Sequence, residues 1–342
     1  MLEMRLHIHT SFELSQWSNK TKPFGATLTE EEVKDALLNF VSSHCCYGSG
    51  AARHLRVVGI DPTCAYHYSL ETYTEKRSTR SAVEPYTGQA IDGPELGPSP
   101  RPWEVAADRK LADFQEGETV SELAHSASVR PCPDCVGMGR RPCQQCGATG
   151  RVSCYRCHGR RFVDMPDGSG DVERVDCEKC RGGGWQSCDG CQATGRVDCD
   201  NCKTRGRLKH YTQLVVSYRN HRSEHVLKTS DEQEVPFEKI KKSQGEWMVD
   251  EQRINQWCFP LPADFPNTQL RELSETSLQK HLFDYQQERL LCQRQRVRVI
   301  PVFRVTVVHR ERTKQFHVFG MERQVHFPDY FDRCCWGLCT LL

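Results

Sequence analysis

No apolar run in this sequence approaches the ~20 residues needed to cross a bilayer as a helix; the apolar stretches are short, as at Val215-Val216. The first residues, Met1 to Glu13, carry no apolar core of the kind a secretory leader needs. Charge of one sign is also lacking. Lys plus Arg number 46 and Asp plus Glu 45, for a formal charge of +1, which excludes a uniformly basic nucleic-acid coat or an acidic tail protein. There is no Gly-x-x-x-x-Gly-Lys phosphate loop, no Gly-x-Ser-x-Gly elbow and no His-Glu-x-x-His, so the common nucleotide, acyl-transfer and zinc-protease signatures are missing. Apolar residues are sparse at 37% of the chain, so part of it folds without an ordinary hydrophobic core. These absences lead to the expectation of a non-enzymatic protein of the cytoplasm, with the nucleus as a second location, where thiols stay reduced.

Cysteine is what the sequence has in excess. Twelve of the 20 fall between residues 132 and 202 as six Cys-x-x-Cys pairs. They are Cys132/Cys135, Cys143/Cys146, Cys154/Cys157, Cys177/Cys180, Cys188/Cys191 and Cys199/Cys202. Successive pairs start 11, 11, 23, 11 and 11 residues apart, a pattern palindromic about residue 167. Around that centre runs Met165-Pro166-Asp167-Gly168-Ser169-Gly170, a turn by composition. The spacing predicts an antiparallel arm folded at Asp167-Gly168, in which each outgoing pair faces a returning pair. Cys132, Cys135, Cys199 and Cys202 would form one set. Cys143, Cys146, Cys188 and Cys191 form the next, and Cys154, Cys157, Cys177 and Cys180 the last. Four thiolates make a closed tetrahedral Zn2+ site, so three structural zinc ions are expected. Disulfides or redox-active thiols are the competing account, and they call for an oxidising compartment or a βαβ context.

Glycines accompany the pairs. Cys132-x-x-Cys135-x-Gly137-x-Gly139 and Cys177-x-x-Cys180-x-Gly182-x-Gly184 are complete CxxCxGxG units. Cys154-x-x-Cys157-His158-Gly159 keeps the first glycine, and the other three units place one later, at Gly150, Gly195 and Gly206. Glycine allows the chain to turn back so that its N–H groups point at sulfur. His158 and His210 lie near the pairs and are read as bystanders, since the sulfur count is already complete. Metal binding supplies folding free energy directly, on the order of 10 kcal/mol in small zinc peptides, which accounts for the thin apolar content.

These motifs resemble the cysteine-rich zinc-finger region of DnaJ/Hsp40 co-chaperones, whose four CxxCxGxG units pair first with fourth and second with third. No His-Pro-Asp tripeptide and no Gly/Phe-rich linker occurs here, so the resemblance is confined to the arm. A longer resemblance is to the Ssu-two homologue family of animals. It rests on Thr29-Glu30-Glu31-Glu32-Val33 through His44-Cys45-Cys46-Tyr47, the six-pair arm, and the ending Cys334-Cys335-Trp336-Gly337-Leu338-Cys339.

Outside the arm, residues 1–27 read as disordered. Thr29 and Glu32 form a capping box for a helix whose face is Val33, Ala36, Leu37, Phe40 and Val41. Residues 28–73 then read as a helix with two short strands, Leu55–Ile60 and Tyr66–Leu70, and 74–129 as a Ser/Pro/Gly-rich linker. The arm occupies 130–208. Residues 209–342 read as hairpins and a long helix: a hairpin turning at Tyr218–His221, a helix marked by Leu270, Leu273, Leu278, Leu282 and Leu290, and a hairpin turning at Arg310–Lys314. The expected fold is an α+β body built from both flanks, with an inserted, metal-stabilised zinc-ribbon arm. Cys45, Cys46, Cys64, Cys258 and Cys292 are expected to be buried structural thiols.

By analogy with Hsp40 proteins, the arm would bind an unfolded polypeptide or a protein partner, in a chaperone-like or scaffolding role. Nucleic acid is the second candidate partner. Between Arg130 and Lys209 there are 15 Lys/Arg and 10 Asp/Glu, but twelve thiolates holding three Zn2+ reduce that excess to about −1, which disfavours it. Thiol–disulfide exchange is third, since metal-bound thiolates are poor exchange partners. Cys339-Thr340-Leu341-Leu342 fits the C-a-a-X prenylation pattern, making Cys339 a candidate lipid anchor.

Overall fold

A computed structural model describes residues 27–107, 112–166, 171–229 and 235–332. The arm's expected turn at Asp167-Gly168, residues 1–26, and the tail containing Cys334, Cys335 and Cys339 lie outside the described residues. Helices are α1 (Glu30–Ser42), α2 (Ser49–His54), α3 (Phe237–Lys242) and α4 (Thr268–Tyr285). The strands preceding the arm are β1 (Arg56–Pro85), β2 (Gly117–Glu122) and β3 (Ser128–Pro131). Those in the arm are β4 (Arg140–Pro142), β5 (Arg151–Ser153), β6 (Phe162–Pro166), β7 (Val172–Asp176), β8 (Trp185–Ser187) and β9 (Arg196–Asp198). After it come β10 (Arg207–Lys228), β11 (Glu246–Ile254), β12 (Arg289–His309), β13 (Arg312–Phe319) and β14 (Gln324–His326). Strand outweighs helix, at 43% against 17%, so the chain is mainly β.

The chain divides into two compact units. The first takes the described residues up to Lys76, those of the return segment ending at Gly117, and those from Tyr218 onward. Its sheet is centred on β12. Residues 56–75 of β1 pair antiparallel with 289–308 of β12, so both flanks of the cysteine-rich segment build one sheet. β12 also pairs with β11 along 292–299 and with β13 along 302–309, and β14 closes that side. Its length suits a period-two pattern that buries both faces. Odd-numbered Phe303, Val305 and Val307 join Val33, Leu37, Val41 and Ala51 of α1 and α2. Val297 meets Leu270 and Leu278 of α4 on the same parity, whereas even-numbered Ile300 and Val302 meet Ile240 of α3. Each such buried aliphatic side chain contributes roughly 1.5–3 kcal/mol. α1 begins as the sequence predicts: Thr29 Oγ1 accepts from the Glu32 N–H at 3.2 Å and the Glu32 carboxylate accepts from the Thr29 N–H at 2.9 Å. Cys64, Cys258 and Cys292 are buried as expected, but Cys45 is exposed and Cys46 half-buried, because they follow the last turn of α1 instead of facing its core.

Three elements differ from the sequence reading. β1 is one strand of 30 residues that runs through 74–85, where a linker was expected. The residues from Lys76 onward are polar and mostly exposed on both faces, so no apolar alternation announces the strand. β10 likewise runs unbroken from Arg207 to Lys228, with no turn at Tyr218–His221. There Asn220 donates its backbone N–H to Glu116 and its side-chain amide to Glu71, so turn-prone residues are satisfied within a strand. The expected long helix ends at Tyr285, and Leu290 belongs to β12. In the second unit, β10 is flanked by β2 and β3, with Ser128–Pro131 in register with Arg207–His210.

Under α4 lies a buried polar layer. His281 is bonded at both ring nitrogens, to Thr72 Oγ1 and to Ser223 Oγ at 2.7 Å each, and Gln293 Nε2 donates to Thr72 at 2.8 Å. Burial, reinforced by the neighbouring His221, lowers its pKa from 6.5 to about 4. The folded chain therefore keeps His281 neutral, while the unfolded chain takes up a proton below about pH 6.5. The stability this supplies is complete above that pH and is lost as pH falls toward 4. The denaturant midpoint should drop over this window by the equivalent of about 1–2 kcal/mol, and His281→Gln should show a shallower pH slope than wild type.

Candidate metal centres

The six Cys-x-x-Cys pairs each close a tight knuckle, and the knuckles share one backbone form. In every unit the fourth, fifth and seventh residues after the first cysteine have positive φ. For the first unit these are Val136 at 51°, Gly137 at 79° and Gly139 at 75°. The seventh position matters most. There the backbone N–H of Gly139, Gly150, Gly184, Gly195 and Gly206 donates to the second cysteine of its own unit at 3.1–3.3 Å. These are the N–H to sulfur contacts that the glycine spacing predicted.

Short ladders bring the units together in nested order. β4 pairs with β9, β5 with β8 and β6 with β7, all antiparallel. The backbone lock is reciprocal at each rung: Cys143 N–H donates to the Gly195 carbonyl and Cys188 N–H to that of Gly150, both at 2.9 Å. The result is three quartets: Cys132, Cys135, Cys199 and Cys202 at the base, Cys143, Cys146, Cys188 and Cys191 in the middle, Cys154, Cys157, Cys177 and Cys180 at the apex. Within each, all four Sγ atoms lie within 4.8 Å of one another. Facing sulfurs are 3.7–3.8 Å apart in every quartet. Four sulfurs at ~2.3 Å from a common centre stand ~3.8 Å apart at the corners of a tetrahedron. The donor set and its spacing therefore fit three zinc ions. All twelve thiols are buried except Cys180, which is half-buried. His158 and His210 supply no ligand to any quartet.

The sulfurs without a counter-charge would resist joint ionisation. Burial pushes the Cys132 and Cys188 thiols up to about 12. For Cys146 burial also raises the pKa, but the Gly150 N–H and the neighbouring thiols outweigh it and bring it to about 7. A bare quartet thus favours a single thiolate, and a divalent cation is what lets four share the site.

Two features were not anticipated from sequence. Arg161 stands at the seventh position of the apical unit, with φ of 76°, where the other five units have glycine. The signal was readable in the alignment of the six repeats. At the base of the arm, Lys209 is buried and bonded to Glu122 at 2.6 Å and to Glu84 at 3.2 Å. Burial alone would lower its pKa; the two carboxylates reverse that and raise it. Its carboxylates are 87 and 125 residues away, so nothing local marked the site. No described helix is long and apolar enough to cross a membrane.

Native mass spectrometry of the reduced protein should show three zinc ions. Cys146→Ser should leave two and raise hydrogen exchange around the middle quartet, because a single missing thiolate opens a closed site. Retention of three would remove Cys146 from the ligand set.

No protein-family model matches the sequence. Among curated proteins, the human Protein SSUH2 homolog is 35% identical over 331 residues, covering 96% of this chain and 84% of the relative. The zebrafish (Danio rerio) Protein SSUH2 homolog is 35% identical over 312 residues, 90% of this chain and 82% of the relative. The mouse Protein SSUH2 homolog aligns over 113 residues at 39% identity, a third of each chain. With similarity of this level extending over nearly its whole length, the chain belongs to the SSUH2 homolog family.

Proposed function

We propose that this chain is a non-enzymatic binding protein of the cytoplasm or nucleus whose zinc-braced arm holds extended segments of partner polypeptides. One observation carries the reading: the arm directs its cysteines inward and leaves several large apolar side chains outside. Val136 is 78% exposed, Tyr155 63% and Trp185 54%, and Met138, Met165 and Val172 are also exposed. An arm pinned by twelve sulfurs presents these side chains with little conformational entropy left to lose. Preorganisation of that kind is what makes a small apolar surface bind usefully. Exposed apolar side chains normally retreat into a core; in the arm Val152, Val163 and Val197 do pack against the quartets, whereas those named above remain outside.

The competing readings draw less support. Arg174 lies 4.8 Å over the ring of Phe162 and Lys179 5.7 Å over that of Tyr155. Arg140 and Arg141 are paired with Asp198 and Asp200. These four cations are thus already engaged with groups of the arm itself and are less available to a nucleic-acid strand. Thiol exchange needs an accessible, unligated thiolate, whereas eleven of the twelve thiols are buried.

The test is suppression of aggregation of a chemically denatured client, together with crosslinking to an apolar-rich peptide. The combined substitution Val136→Ser, Tyr155→Ser and Trp185→Ser should weaken both by about tenfold while the zinc count stays at three. Unchanged binding in a variant that keeps its zinc would remove the arm as the binding surface.

A further inference from the structure

The three quartets share a sulfur geometry but not a backbone frame, and the difference traces to Arg161. In the basal and middle quartets the seventh-position glycines press against the opposite limb. A Cβ placed on Gly139 would stand 2.3 Å from the Thr204 carbonyl oxygen, and one on Gly150 2.2 Å from that of Ala193. Across the same two rungs, Gly195 and Gly206 would meet Ala148 and Gly137 at 2.3 and 2.2 Å. No residue with a side chain fits such a crossing. At the apex, Arg161 does carry a Cβ, and the crossing is correspondingly open: a Cβ on its counterpart Gly184 would stand 3.0 Å from the Gly159 oxygen, with the Arg161 Cγ at 3.1 Å.

The looser crossing removes contacts that hold the sulfurs. The second cysteine of five units accepts an N–H from its seventh-position glycine; among the described residues Cys157 receives none from Arg161. In the same five units the fifth residue donates its N–H to the first cysteine's carbonyl, as Ala148 does to Cys143 at 3.0 Å, and the Gly159-to-Cys154 counterpart is missing. Arg161 also holds a left-handed φ that is costly for any residue with a side chain. Cys180, in this quartet, is half-buried, whereas the most exposed ligand of the middle quartet, Cys146, is 8% exposed. The middle quartet is the reverse case: Thr149 and Thr194 each donate to the carbonyl of a ligand cysteine, Cys146 and Cys191, at 2.6 Å.

We infer that the apical quartet is the readily exchangeable zinc site, while the middle and basal quartets hold their metal more tightly, so that the outer part of the arm is ordered or released according to zinc supply. This rests on the assignment of zinc to the quartets. The sulfur spacing at the apex still fits the ion, so the site fills; what it lacks is one of the two N–H to sulfur bonds that the other quartets have, since Gly184 still donates to Cys180 but Arg161 does not donate to Cys157. On release the ion passes to a competing ligand and the four sulfurs take up protons from water, with no change of oxidation state. Tyr155 lies between two ligands of this quartet, and Trp185 directly follows Gly184. Both are among the side chains assigned above to partner binding, which would therefore respond to zinc at the apex. A missing N–H bond to a charged acceptor corresponds to a loss of about tenfold or more in affinity.

The full chain loaded with zinc is titrated with the chromogenic chelator 4-(2-pyridylazo)resorcinol, and followed by native mass spectrometry and hydrogen exchange. One ion should leave at least about tenfold before the others, giving a stable two-zinc species with exchange raised only in residues 154–166 and 171–184. Arg161→Gly removes the Cβ and the backbone strain, and should delay that first release until the three ions leave together. Simultaneous loss from the wild-type chain, first loss from the middle or basal quartet, or an unchanged first release in Arg161→Gly would each overturn the inference and leave the zinc assignment standing. Fewer than three zinc ions before any chelator is added would instead overturn the assignment itself.

Discussion

The arm depends on one repeated constraint: two backbones must cross closely enough for four sulfurs to share a tetrahedron. At the two inner rungs the crossing is so tight that a Cβ would fall 2.2–2.3 Å from the opposing carbonyl oxygen. Glycine at the seventh position is therefore required twice over, once for its positive φ and once for its missing side chain. At these two rungs the crossing also carries the reciprocal N–H to carbonyl bonds and directs both seventh-position N–H groups at sulfur. A site built this way specifies its own register, because sliding either limb by one residue would place a side chain where only hydrogen fits. The arm thus obtains uniqueness from backbone contact, where an ordinary domain obtains it from packed aliphatic side chains.

That constraint explains why the cysteine-rich segment was so legible in the sequence. Metal ligation fixes residue type and spacing with little tolerance, so the palindrome of Cys-x-x-Cys pairs led directly to the nested ladders and the quartets. The capping box at Thr29 and Glu32 was legible for a similar reason, since both partners lie within one helical turn. The glycine pattern also held the exception at Arg161, but its meaning emerged only when the distance between limbs could be measured. A repeat alignment shows that a glycine is missing; it does not show what lay opposite.

The sheets were less legible because their information is spread across the chain. β1 beyond Lys76 and the middle of β10 carry polar residues on both faces, which composition assigns to linkers and turns. Their strand state comes from partners far away in sequence. Glu71, for instance, is buried on β1 and gathers Arg294 and Arg296 from β12 and Arg222 from β10. A buried carboxylate is tolerated when several cations and an amide surround it, and here they keep its pKa below the usual value despite the burial that would raise it. No local window contains that group of residues. The buried Lys209 with Glu84 and Glu122 repeats the lesson in the second unit with the signs exchanged.

Two kinds of order therefore coexist in the chain. The sheet around β12 is held by many moderate contributions, so losing one aliphatic side chain weakens it without removing an element. Each rung of the arm is held by one shared set of four sulfurs and a backbone crossing, made by two glycines at the base and middle and by Arg161 and Gly184 at the apex. In a closed rung Tyr155 and Trp185 stand in fixed positions on the arm's surface, and in an open one they do not. A rung with poorer backbone support therefore differs from its neighbours chiefly in how readily its metal would depart, since the sulfur spacing is the same in all three quartets. Arg161 alters the frame around the apical sulfurs while leaving their number and separation intact. A substitution outside the ligand set can in this way tune one site of three, and the arm can vary in stability along its length without a change in any cysteine.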